Sequence, residues 1–111
     1  MTIPWQRRRV IPEMGYALAP KQLVEQRLKV RFMYREQPDG PQDSGWRFFS
    51  GDETDEYANQ PDNIGLYDVN TIASIDPDII PLLNVPAGCA FERGDSSGPF
   101  LASQGADMEE F

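Results

Sequence analysis

The chain reads as an α+β domain: a small, mainly antiparallel sheet of about four strands with short helices packed on it. Three observations predict this class. Residues 29–35 and 45–50 alternate with the two-residue period of a half-buried strand. Capping residues precede short helical runs after Ser50, Asp68 and Asp76. These elements interleave without a regular strand–helix–strand repeat, which argues against a parallel α/β sheet.

The elements follow in order. Residues 1–15 hold Pro4, Pro12, Gly15 and the run Arg7-Arg8-Arg9, show no usable period, and read as an irregular or mobile arm. Tyr16-Ala17-Leu18-Ala19 reads as a short strand. Pro20 suits the first turn of a helix over 21–28, where Leu23, Val24 and Leu28 make an apolar edge. In 29–35, Val30, Phe32 and Tyr34 point one way, and Arg31, Met33 and Arg35 the other. Residues 36–44, centred on Pro38-Asp39-Gly40-Pro41, read as an exposed loop. In 45–50, Trp46 and Phe48 share one face, Arg47 and Phe49 the opposite one. Ser50 and Glu53 match a capping box, with Asp52, Glu53 and Asp55 in the first helical turn. Pro61 keeps that helix short.

Asp68 is placed to cap a helical stretch through Val69–Ile75. Asp76-Pro77-Asp78 starts another helix, short and partly 3₁₀ because Pro81 removes a backbone donor. Residues 88–93 read as the last strand, and 94–111 as an acidic, loose tail. Residues 16–93 therefore form a single domain.

Composition narrows the chemistry. The chain has 111 residues, no histidine and one cysteine. A Ser-His-Asp triad, a Cys-His pair and a histidine zinc site are thereby excluded within it. Neither a P-loop nor a Rossmann glycine pattern is present. Cys89, between Gly88 and Ala90, reads as a small apolar residue with no disulfide partner. The acids Asp52, Glu53, Asp55 and Glu56 do not fit a calcium loop: Tyr57 stands where glycine is required and Asn63 where Glu is. No catalytic residue, metal or cofactor is expected.

The net charge of −8 is unevenly spread. Residues 1–35 carry eight Lys or Arg and two acids; residues 36–111 carry two bases, Arg47 and Arg93, and sixteen acids. Such a body repels nucleic acid and anionic membrane and attracts basic partners, although solubility accounts for the same charge. No apolar stretch follows the arginine run, and none nears the ~20 residues of a membrane span. A cytoplasmic location is expected.

Several blocks together carry a family resemblance. They are Val30-Arg31-Phe32-Met33-Tyr34-Arg35-Glu36, then Asp43-Ser44-Gly45-Trp46-Arg47-Phe48-Phe49-Ser50-Gly51-Asp52-Glu53, then Asn63-Ile64-Gly65-Leu66-Tyr67-Asp68. Asp76-Pro77-Asp78-Ile79-Ile80-Pro81-Leu82-Leu83 and Ala90-Phe91-Glu92-Arg93 complete the series. Over residues 17–93 the chain resembles the immunity protein 33 family of bacterial polymorphic toxin systems. The resemblance implies a non-catalytic protein that binds and neutralises a cognate toxin.

The candidate partner-binding residues are Asp43, Trp46, Arg47, Asp52, Glu53, Asp55 and Tyr57. The acids would meet a basic patch of the toxin, and Trp46 or Tyr57 would supply apolar anchor area if exposed. Arg47 also reads as an internal partner for an acid of the 39–43 loop or the following helix. Two alternatives stay open: a regulatory or housekeeping protein with another partner or small ligand, and a carboxylate enzyme using a divalent metal.

Overall fold

The alternation of residues 32–35 and 43–49 builds the centre of one six-stranded sheet. The computed structural model describes residues 9–103. Strands β1 (Tyr16–Pro20), β2 (Phe32–Arg35), β3 (Asp43–Phe49), β4 (Ile64–Asp68), β5 (Ala90–Glu92) and β6 (Leu101–Ala102) stand in the order β4-β1-β3-β2-β5-β6. The β1–β3 pair is parallel and the other four pairs are antiparallel. The class is α+β as expected, with six strands rather than about four.

The two added strands lie at the edges. β4, with Gly65 at its second position, has weak intrinsic strand preference, but all five of its residues pair with β1. β6 holds only two residues, delivered by a turn from Arg93 that brings Phe100 back to the core. Residues 94–103, read from sequence as the start of a loose tail, thus fold onto β5.

Helices α1 (Lys21–Glu25) and α3 (Val69–Ile75) and a 3₁₀ helix (Pro77–Leu82) supply the other layer. Leu23, Val69, Ile72, Ala73, Ile79 and Leu83 form one buried cluster with Ala17, Ala19, Met33, Trp46 and Phe48 of the sheet. Ala17 and Ala19 carry little side-chain volume, which leaves room for the helices against β1. Asp68 and Asp76 cap the last two helices, accepting from Asn70 N and Asp78 N.

Two local readings are corrected. The strand read over 29–35 is confined to Phe32–Arg35, and Val30, grouped with Phe32 and Tyr34, is buried instead in the core with Met33, which pairs with Phe48; Phe32 and Tyr34 lie on the opposite face. Arg35 shares the core face because its guanidinium is satisfied there, donating to the carbonyls of Ser44, Leu83 and Val85. The helix after β3, α2 (Asp55–Ala58), starts later than expected, with Thr54 as its cap accepting from Tyr57 N. Glu53 does reach back to Ser50 N, but it also takes Ser50 Oγ and Gly51 N, which closes a turn ahead of the helix. Asp52 and Glu53 therefore precede the first helical turn.

Residues 9–15 lie against the domain. Ile11 is buried in the core, Asn70 Oδ1 accepts from Val10 N and Ile11 N, and Arg9 pairs with Asp68. Arg7 and Arg8 lie outside the described residues.

Candidate functional site

Strand β3 carries three of the seven candidate residues, and all three are interior. Arg47 is buried, its Nη1 and Nη2 donating to the two oxygens of Asp43 at 3.0 and 2.9 Å and its Nε to Glu36 at 2.6 Å. Asp43 also accepts from Asp39 N and Gly45 N, so one carboxylate ties the loop before β3 to the strand. Hydrogen bonding to Arg47 is the main reason why the Asp43 carboxyl sits far below the usual range; burial opposes that shift. Arg47 is raised in turn, chiefly by its bond to Asp43. This pairing is the internal one read for Arg47. Trp46 is fully buried, stacked on Phe48 at 5.7 Å, with Nε1 donating to Leu83 O. It presents no anchor area at the surface.

The other four candidates lie together just past the end of β3. Asp52 and Asp55 are exposed, Glu53 is half-buried by its turn, and Tyr57 is half-buried with its hydroxyl accepting from Gln22 N. Tyr57 thereby fixes α2 to the start of α1. Exposed Glu56 joins the group.

The second arginine of the acidic body has the same fate as the first. Arg93 is buried and donates to Asp76, Asp78, Val30 O and Gly98 O, with its guanidinium 4.2 Å from the Phe100 ring centroid. Asp76, fully buried, also accepts from Val30 N. Arg47 and Arg93 are the only bases between residues 36 and 103. The surface contributed by those residues therefore exposes acids and no cation.

Sequence reasoning missed the second face of the sheet. Register places Phe49, Phe32, Glu92 and Leu101 in one row, and Leu66, Leu18, Arg47 and Tyr34 in the next. Phe32, Tyr34 and Phe49 form a three-ring group with centroids 5.7 to 6.3 Å apart, Tyr34 and Phe49 nearly parallel at 11°. None of these apolar side chains belongs to the core cluster, and Leu66 and Leu101 are 62% and 65% exposed. The available signal was the placement of Phe49 beside Arg47, opposite Trp46 and Phe48.

Among the described residues, no three His, Cys, Asp or Glu side chains gather as metal ligands, and no helix is long and apolar enough to cross a membrane. No curated protein and no solved structure matches the chain. A family match does exist: residues 17–104 match the Immunity protein Imm33 domain. It runs past residue 93 and takes in the returning strand β6. With most of its length inside that match, the chain belongs to the Imm33 immunity protein family.

Proposed function

We propose that this protein is a non-catalytic immunity protein of a polymorphic toxin system, acting in the cytoplasm by stoichiometric binding of a cognate toxin. The observation that carries the reading is the family match over residues 17–104. The charge pattern supports it in kind. Both bases of the acidic body are internal, and an all-acid surface favours a partner with a basic active-site face. Within the predicted region, Asp52, Glu53, Asp55 and Tyr57 meet the toxin, while Asp43, Trp46 and Arg47 hold the strand behind them. Neither nucleic acid nor membrane suits such a surface.

Affinity capture with the tagged chain from its source cells, read by mass spectrometry, tests this. One toxin-like protein in stoichiometric amount is the expected result. Recovery of nothing from cells that express a neighbouring toxin gene would move the assignment to a regulatory role.

A further inference from the structure

We infer that the open face of the sheet, centred on Phe32, Tyr34 and Phe49, is the docking surface for a cationic, arginine- or lysine-rich segment of the toxin. The inference rests on the immunity reading for the identity of the partner, and on the sheet itself for the surface.

A sheet face normally buries its apolar side against a second layer. Here the helical layer lies on the Trp46–Phe48 side, and apolar side chains remain on the other, among them Leu18, Phe32, Tyr34, Phe49, Leu66 and Leu101. The three rings offer stacking faces. Acids border them: Glu92 lies between Phe32 and Leu101 in the register, and Glu36 borders Tyr34 through Arg47, while Arg31 packs on Gly51 at the end of the strands. Asp52, Asp55 and Glu56 follow Phe49 in the chain, beyond the Ser50–Glu53 turn. Arg47, the one cation set into this face from β3, is covered and neutralised by Asp43 and Glu36.

Aromatic faces flanked by carboxylates fit guanidinium and ammonium groups, which stack on a ring and pair with an acid at the same time. The long stems of those side chains cover apolar surface as well. A second copy of this chain fits poorly, because each copy carries a net charge of −8 and would set acid against acid. Nucleic acid is repelled by the same charges.

The test uses the full chain, ¹⁵N-labelled and titrated with a hexa-arginine peptide at physiological salt, beside toxin capture by wild type and variants. The peptide is expected to shift the resonances of Phe32, Tyr34, Phe49 and Glu92. Tyr34→Ser with Phe49→Ser should weaken toxin binding about 30-fold or more, as expected on losing a central anchor. Because those rings are half-buried, Glu92→Lys with Leu101→Ser, both exposed and with no side-chain hydrogen bond or ion pair among the described residues, serves as the milder variant and should weaken capture in the same direction. Peptide shifts confined to residues 52–56 or to the helical layer would overturn the surface. Toxin captured with unchanged affinity by the Glu92→Lys, Leu101→Ser variant would overturn it too, leaving the immunity reading intact. No toxin captured by wild type, with the peptide still mapping to the sheet, would sink the immunity reading and leave a cation-accepting face.

Discussion

At the scale of single residues, two buried arginines, Arg47 and Arg93, are each held by buried carboxylates. Removing one partner of a buried ion pair leaves an uncompensated charge, so Arg93→Met should cost about 3–5 kcal/mol in a urea melt. The loss comes from leaving buried Asp76, which also holds Val30 N and Asp78 N, with only the exposed Lys29 at 3.9 Å as a counter-charge. Asp43 sets a pH dependence. Its folded pKa lies below the unfolded one, so the unfolded state binds the proton more readily. The stabilisation is complete above the unfolded carboxyl value of about 3.9 and drains away as pH falls below it. Urea midpoints should hold at pH 6 and fall toward pH 3, and Asp43→Asn should flatten part of that fall. The Arg47 partnership was legible because Asp43 lies four residues before it in a turn-rich stretch. Arg93 gave no comparable sign, since Asp76 is seventeen residues away and only the 3₁₀ helix brings it back.

At the scale of elements, strained backbone marks the joints. Gly45 has φ +88, and a Cβ there would lie 2.3 Å from Glu36 O. Gly45→Ala should cost more than about 3 kcal/mol, the upper end for a misplaced left-handed residue, because the overlap adds to the φ penalty. Arg27, after α1, has φ 55 without being glycine, so Arg27→Gly should stabilise by about 0.5–1 kcal/mol. Thermal melts of both variants check the pair. Helices α3 and the Pro77–Leu82 turn were readable because Asp68, Asp76 and Pro77 are local signals. The β2 face was not. Arg31 and Arg35 mimic a solvent face, but Arg35 finds carbonyls at the core's end and Arg31 donates to Gly94 O. β4 and β6 exist through pairing, which no single segment displays.

At the scale of the molecule, charge and apolar surface are sorted by face. Lys21 and Arg27, exposed on α1 and its exit, belong to the helical layer. The open sheet face carries half-buried aromatic rings and exposed Glu92, and the segment after it exposes acids. Asp52→Lys, Asp55→Lys and Glu56→Lys together should slow toxin association about tenfold or more at low salt and less at high salt, with only a small drop in the melt from placing two cations in the first turn of α2. Glu53 is best left in place because it closes the Ser50 turn. The acid richness of this region was plain in sequence. Its separation from Trp46, Arg47 and Asp43 was not, because burial of those three depends on α3, the 3₁₀ helix and Glu36.

The most direct measurement titrates the activity of the captured toxin with the purified chain. A linear fall to zero activity at one equivalent is the predicted result. Undiminished activity at a large excess of folded chain would contradict neutralisation by stoichiometric binding.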